Sequence, residues 1–293
     1  MEWMLFTLLA VFFWSVCNIL DKFVVTRYIR NPIVMMMFLS SFSLIFAFVV
    51  AIFQPVIIPP INLLLPLLAS GICYFIGCSL YFKSLTVEEV SRVVSLYSIS
   101  PIFVLILSTV FLHEIFTWDK YVGILLIVLG SVLISLKKEA KFKLSKALLL
   151  MTMSAIFIAF YYTLQKFALN SLSYWNVFFW VRIGCFLAAP VLFLFYHKLF
   201  VESLKKYPIT GVYLPIIEIL NVVGVYLIVI AYSAGYAGLV SAFTEIHSLV
   251  VFLMVVALSV FKPKILKEEM KGSTLLMKII SIIMIIAGAI LIS

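Results

Sequence analysis

Ten apolar runs, each about 20 residues long, follow one another with short connections. An α-helix rises about 1.5 Å per residue, so roughly 20 apolar residues cross the hydrocarbon core of a bilayer. Strands of a membrane barrel are about half as long and alternate in polarity, which these runs do not. The sequence therefore predicts an all-α integral membrane protein with ten transmembrane helices. They cover 3–20, 33–53, 63–82, 93–112, 118–136, 147–164, 175–196, 209–232, 237–261 and 274–292.

The composition excludes an ordinary soluble domain. Of the 293 residues, 66% are hydrophobic and 11% are charged, whereas soluble domains carry roughly 25% charged residues. A soluble chain of this length could not hide so much apolar surface from water. We therefore expect a multi-pass protein of the cell membrane, surrounded by the lipid bilayer. Because the basic residues lie in short loops between the runs, the net charge of +9 does not indicate nucleic-acid binding.

The distribution of Lys and Arg predicts the orientation. The odd-numbered loops together hold 17 of these residues, whereas the even-numbered loops hold only Lys120 and Lys166. Cytoplasmic loops are enriched in Lys and Arg, so the odd-numbered loops are predicted to be cytoplasmic. Ten helices return the chain to its starting side, and both termini are therefore predicted to lie outside.

Two similar tripeptides suggest an internal repeat. Residues 21–23 (Asp-Lys-Phe) close the first run, and residues 165–167 (Gln-Lys-Phe) close the sixth, about half the chain later. A basic connection at 139–146 separates two halves of five helices each, 1–138 and 147–293. With an odd number of helices, the second half enters the membrane from the opposite side. Inverted repeats of this kind are common in secondary transporters, with the substrate site between the halves near the midplane.

The segment 81–135 carries the most specific pattern of the chain. A helix with Ser-Pro ends in a short acidic motif, and two glycines mark the helix that follows. The residues are Ser100, Pro101, His113, Glu114, Gly123 and Gly130. This pattern resembles the EamA-type module of the drug/metabolite transporter superfamily, where Gly-Glu is usual at the position of residues 113–114.

The second half matches the same sequence pattern less closely. Ser248 stands where the first half has Pro101, His247 stands at the position of Ser100, and Gly288 alone matches the final glycine. The resemblance implies a ten-helix fold and the export of metabolites, amino acids or drug-like compounds. Members of this family more often keep their termini in the cytoplasm, which conflicts with the loop charges.

Polar side chains inside the apolar runs are functional candidates, because charges are costly within a bilayer. The candidates for substrate binding or coupling are Trp14, Asn18, Tyr97, Tyr162, Arg182, Glu218, Asn221, Glu245 and His247. Pro101 cannot donate to the carbonyl of Tyr97 and is predicted to interrupt the fourth helix, either beside a site or as a simple kink. No Cys/His cluster indicates a metal site, and no cofactor is expected.

Depth along the helices suggests two further interpretations. Arg182 and Glu245 lie roughly 10 and 12 Å below the same face, which predicts an ion pair serving either as a gate or substrate clamp or as a structural contact. Glu218 is deeper, at roughly 21 Å, and is predicted to be unpaired. It is then a candidate for proton coupling, with a hydrogen-bonded structural role as the alternative. Tyr161, Tyr232 and Tyr236 are predicted to be interfacial anchors.

These features favour a secondary transporter, an exporter or an exchanger, that moves a small organic metabolite by alternating access as a monomer or homodimer. There is no P-loop to support ATP hydrolysis, so a proton is a candidate coupling partner. The alternatives are a membrane-embedded enzyme of lipid or isoprenoid metabolism and a non-transporting membrane subunit. Such an enzyme would need clustered acids or a His/Ser constellation.

Overall fold

The computed structural model describes residues 2–29, 31–87, 93, 96–135, 146–261 and 273–293. Within these ranges the chain forms twelve helices and no strand. The helices are α1 (Glu2–Arg27), α2 (Pro32–Phe53), α3 (Ile61–Leu85), α4 (Ser100–Leu112), α5 (Trp118–Ser135), α6 (Lys146–Leu169), α7 (Tyr174–Leu187), α8 (Pro190–Lys206), α9 (Thr210–Ala234), α10 (Ala237–Thr244), α11 (Ile246–Phe261) and α12 (Ser273–Ile292). Except for its last residue, the predicted connection at 139–146 lies outside the described residues.

Six stretches of the described residues are long and apolar enough to cross a bilayer, and a bent pair of helices makes a seventh. The six are Glu2–Val25, Pro32–Phe53, Ile61–Leu85, Ala147–Leu169, Thr210–Ala234 and Ala237–Met254. Shorter apolar helices cover Ser100–Leu112 and Leu276–Ile292. The chain is thus a multi-pass, all-helical membrane protein, and the count of ten spans stays a prediction.

In the second half of the chain, two of the predicted runs are each broken into two helices. The seventh bends by 64° between α7 and α8, where Pro190 occupies the first turn of the new helix. Proline has no N–H to extend the preceding helix, but it fits well at a helix start. The ninth run is interrupted at Glu245, between α10 and α11. The sequence analysis treated both runs as continuous.

The exterior of the bundle is apolar. Large side chains such as Phe48, Ile52, Leu194, Phe195 and Ile290 are 61–75% exposed. An apolar surface this extensive would drive aggregation in water but is well matched to lipid tails. The outward faces of the helices therefore form the lipid-contacting surface.

Three helix pairs form the main interior contacts: α1 with α9, α3 with α6, and α5 with α12. The backbones of the last pair approach closely at Gly123 and Gly288. A methyl group added to Gly123 would lie 3.0 Å from the Gly288 carbonyl oxygen, and one added to Gly288 would lie 2.6 Å from that of Gly123. Small residues permit this kind of close helix packing inside a membrane.

His113 ends α4 in a left-handed conformation, with φ 56° and ψ 31°. It is the only non-glycine residue with positive φ among the described residues. A left-handed residue commonly closes a helix and is usually glycine, which lacks a Cβ to clash there. The geometry thus explains why Gly-Glu is usual where this chain has His113-Glu114.

Candidate functional site

A cavity of about 150 Å³ lies inside the bundle, between α1, α3, α4, α6, α9 and the α10–α11 break. An apolar protein cavity of about this volume can hold a benzene molecule. Eight of the nine side chains predicted for substrate binding or coupling line it. They are Trp14, Asn18, Tyr97, Tyr162, Glu218, Asn221, Glu245 and His247.

One face of α1 forms a wall of the cavity. Trp14, Cys17, Asn18 and Asp21 all line it, and their spacing of three, four and seven residues places them on a single helix face. Because α1 continues to Arg27, Asp21 lies inside the helix and not at its end. Only Trp14 and Asn18 of this helix face were predicted from the sequence, although the same periodicity extends to Asp21.

Glu218 has polar neighbours, whereas the sequence predicted it to be unpaired. The Asn221 side-chain amide lies 3.3 Å from Glu218 Oε2 and 3.3 Å from the Tyr74 hydroxyl, and it donates to both. The guanidinium carbon of Arg182 lies 5.6 Å from the centre of the Tyr74 ring, although Arg182 does not itself line the cavity. A polar path therefore connects α9 through α3 to α7.

The predicted ion pair between Arg182 and Glu245 does not form. Arg182 is 2% exposed, packs 5.1 Å from the Phe178 ring centre and donates through Nη1 to Ser43 Oγ at 3.4 Å. It does not line the cavity, whereas Glu245 does. Similar depth misled the prediction, because α7 packs against α2 and α3 while α10 and α11 pack against α1, α4 and α5.

Two interrupted helices meet the cavity, one from each half of the chain. Residues 98–99 form a turn and α4 begins at Ser100, so Pro101 lies in its first turn and not in mid-helix. In the second half the interruption is at Glu245. The alignment that pairs Pro101 with Ser248 also pairs Ser98 with Glu245, so the two interruptions fall at equivalent positions.

The second interruption is held by side chains from other helices. Ser131 Oγ on α5 donates to the Glu245 backbone carbonyl at 3.0 Å. The Asn18 side-chain amide on α1 lies 3.1 Å from His247 Nε2. These contacts tie the break to α1 and α5, and the Glu245 carbonyl also accepts hydrogen bonds from the Ser248 N–H at 3.1 Å and the Ser248 hydroxyl at 2.9 Å.

One end of the bundle is capped by Glu114, which lies just beyond the end of α4. Its carboxylate oxygens accept hydrogen bonds from the N–H groups of Ala237 at 2.8 Å and Gly238 at 3.1 Å. These N–H groups begin α10 and have no partner within their own helix. A negative charge is favoured at this position by the helix dipole as well.

Lys166 caps the neighbouring helix at the same end. Its ammonium group donates to the carbonyls of Tyr232 at 2.8 Å and Gly235 at 2.7 Å, which close α9. Lys166 does not line the cavity, whereas Tyr162, one turn earlier on α6, does. Glu114 and Lys166 together hold the α9–α10 turn; we call this end of the bundle the capped end.

A chain of tyrosine rings runs from the cavity to the capped end. The ring centres of Tyr74 and Tyr161 are 4.8 Å apart, those of Tyr161 and Tyr162 are 4.8 Å apart, and those of Tyr162 and Tyr232 are 5.0 Å apart. Tyr161 and Tyr232 are 1% and 0% exposed, so their prediction as interfacial anchors is wrong. Both lie on helix faces that point into the bundle.

Among the residues that the structure describes, no group of three His, Cys, Asp or Glu side chains is placed to hold a metal ion. The site instead combines acidic side chains, aromatic rings and neutral hydrogen-bonding groups around a small volume. Such an arrangement can enclose an organic molecule.

Comparison with known proteins agrees with these features. Residues 1–136 match the EamA-like transporter family. A segment is 40% identical over 98 residues to an uncharacterised transporter of Archaeoglobus fulgidus, covering 32% of this chain but only 34% of that protein. An uncharacterised protein of Methanocaldococcus jannaschii is 28% identical over 130 residues, which make up 44% of this chain and 93% of that protein.

A solved crystal structure superposes on 99% of this chain and 95% of its own, with a TM-score of 0.67 and 14% sequence identity. This likeness shows a shared fold. The family match confirms the resemblance drawn from the motifs in the first half. Residues 1–136 of this multi-pass membrane protein are thus similar to the EamA-like transporter family.

Proposed function

We propose that this protein is a secondary transporter that moves a small organic solute by alternating access, with the cavity as its substrate site. The observation that carries the proposal is the meeting of two interrupted helices at the cavity, one from each half. Interrupted helices leave backbone groups free to bind a solute, and transporters place them near the midplane between inverted repeats.

The helix packing supports two inverted five-helix halves, 1–138 and 147–293. If the two halves are exchanged, α1 takes the place of α6 and α9 takes the place of α3. The contact of α1 with α9 therefore corresponds to the contact of α6 with α3, and both contacts are extensive. The pair α5 and α12 maps onto itself and crosses at Gly123 and Gly288. Such an exchange is expected when two related halves pack around a common axis.

The two ends of the bundle differ in a way that suits alternating access. The capped end also holds the C-terminus, since Lys120 Nζ donates to the Ser293 backbone carbonyl at 2.8 Å, and the start of α1, since the Trp3 and Phe243 ring centres are 5.5 Å apart. The cavity extends the other way, to Asp21 near the end of α1. With the orientation given by the loop charges, the capped end faces outward and the site is closed on that side.

Within this mechanism, Glu218 is the proposed coupling residue. A carboxyl group removed from water is more stable when protonated, and access to water from one side favours release of the proton. The Asn221 amide donates to both the Glu218 carboxyl group and the Tyr74 hydroxyl, and Asp21 on α1 lines the same cavity. Substrate and proton would then occupy the pocket in turn.

The first experiment is a counterflow assay in liposomes that contain the full chain. Labelled amino acids, amines, sugars and carboxylates are offered singly, and at least one is expected to exchange faster than in empty liposomes. If none does, the transporter proposal fails. The solute that exchanges becomes the substrate for the test of coupling.

The second experiment compares Glu218→Gln with Glu202→Gln, which removes an exposed carboxylate on α8, away from the cavity. Glutamine keeps the size and hydrogen-bonding capacity of Glu218 but cannot titrate. Glu218→Gln should lose uphill uptake driven by a pH step while retaining exchange between filled compartments, and Glu202→Gln should retain both. Uphill uptake by Glu218→Gln at the parent rate would assign the coupling to another group.

A further inference from the structure

We infer that the cavity selects a small organic cation, about the size of one aromatic ring, over neutral and anionic solutes of the same size. The inference rests on the proposed function, because it takes the cavity to be the substrate site. It follows from the charge of the lining, from one unpartnered carboxylate oxygen and from the aromatic walls.

The lining contains more acidic than basic side chains, and His247 is the one basic group among the described lining residues. Asp21, Glu218 and Glu245 all line the cavity, and none of the described lining residues is Lys or Arg. Nearby positive groups have other contacts: Arg182 packs against the Tyr74 and Phe178 rings and does not line the cavity, and Lys166 binds backbone carbonyls. Interactions between charges are stronger in the low dielectric of a protein interior than in water. A cation would be attracted by any of these carboxyl groups that ionises beside it, whereas an anion would gain no such attraction.

Asp21 offers the clearest position for a hydrogen-bond donor of a ligand. Its side chain is 8% exposed and lines the cavity, and its Oδ1 atom makes no hydrogen bond within the described part of the chain. A buried polar atom without a partner destabilises a protein by roughly 1–3 kcal/mol, and more if it is charged. A ligand ammonium group at this position would satisfy the carboxylate by a charge-assisted hydrogen bond.

The aromatic walls favour an organic cation over a metal ion. Trp14, Tyr74, Tyr81, Tyr97 and Tyr162 line the same volume as the carboxylates. Aromatic faces attract ammonium groups and also pack against the apolar part of an amine. Hard metal ions instead require a shell of oxygen ligands, which a lining this rich in rings does not supply.

The test uses three ring-sized molecules that differ in charge: benzylammonium, benzyl alcohol and benzoate. Binding to the purified full chain in detergent is measured by isothermal titration and by the shift in the unfolding midpoint. Benzylammonium should bind about tenfold more tightly than either of the others, the factor expected when one charge-assisted contact is gained. Equal or tighter binding of benzyl alcohol or benzoate, or no binding of any of the three, overturns the inference.

Variants locate the binding. Asp21→Asn should weaken benzylammonium binding about tenfold, whereas the control Glu202→Gln should leave it unchanged. Tyr162→Leu should weaken it severalfold through loss of the ring, and Tyr162→Phe should retain it. This second pair tests the inference even if Asp21→Asn fails to fold. Equal binding by Asp21→Asn and Glu202→Gln, or by Tyr162→Leu and Tyr162→Phe, argues against this cavity as the cation site.

Counterflow separates failure of the inference from failure of the proposed function. If benzylammonium binds but no solute exchanges across the liposome membrane, the cation site stands and the transporter proposal falls. If carboxylates or sugars exchange and amines neither exchange nor compete, the transporter proposal stands and the cation site is wrong.

Discussion

Removal of the Glu114 carboxylate should loosen the capped end without changing the rest of the fold. Glu114 is 6% exposed, and its two oxygens bind the N–H groups of Ala237 and Gly238 at the start of α10. Glu114→Ala leaves both N–H groups buried without partners. Glu114→Gln keeps one oxygen acceptor but loses the second oxygen and the charge.

The contacts set the expected magnitudes. A buried donor without a partner costs about 1–3 kcal/mol, so Glu114→Ala should lower the free energy of opening the start of α10 by about 4 kcal/mol. Loss of one charge-assisted bond and of the dipole interaction in Glu114→Gln should lower it by about 1.5 kcal/mol. Since 1.4 kcal/mol is a factor of ten, amide exchange should accelerate about a thousandfold in the first variant and about tenfold in the second.

Hydrogen–deuterium exchange with mass spectrometry, on the purified protein in detergent, measures this directly. The peptide that covers 235–240 should accelerate, while peptides from α3 should exchange as in the parent protein and Glu202→Gln should change neither. Parent-like exchange at 235–240 in Glu114→Ala would show that the carboxylate does not stabilise this helix start. Equal acceleration in α3 would point to a general loss of folding instead.

Two further outcomes follow from the packing and the loop charges. Gly288→Ala should lower the unfolding midpoint by the equivalent of about 1–3 kcal/mol, because the added methyl group would meet the α5 backbone. The control Gly211→Ala should leave the midpoint unchanged, because Gly211 faces open space. Similar midpoints for the two variants would refute the tight crossing of α5 and α12. A reporter that is active only outside the cell should be active when fused at Ser293 and inactive when inserted at Lys143, and the reverse pattern would overturn the orientation.

The helical segments and eight of the 21 residues that line the cavity could be predicted from the sequence, for two separate reasons. Hydrophobic runs fix which segments are helices, since lipid contact demands apolar residues over a membrane-spanning length. Charged and amide side chains are costly in lipid, so those within a run face the interior. Glu218, Asn221 and Glu245 were found in this way. Asp21 was missed because the first helix was predicted to end at residue 20, whereas α1 continues to Arg27.

Lateral neighbours could not be predicted in the same way. Sequence position gives the depth of a residue along its helix, but not the helix that it faces. Arg182 and Glu245 were therefore paired at similar depth, although they lie on different sides of the bundle. Likewise, the general enrichment of tyrosine at membrane interfaces placed Tyr161 and Tyr232 at the surface, whereas interior packing places them among other rings.

The chain of tyrosine rings also bears on energy conservation. A carrier driven by a proton gradient dissipates that gradient if protons cross when no solute does. Protons cross a protein interior along continuous chains of hydrogen-bonded groups, whereas the packed faces of aromatic rings provide no such chain. The rings of Tyr161, Tyr162 and Tyr232 pack between the cavity and the capped end. If the protein is driven by protons, as proposed, these rings would act as an insulator on that side, and a proton would leave there when the helices move.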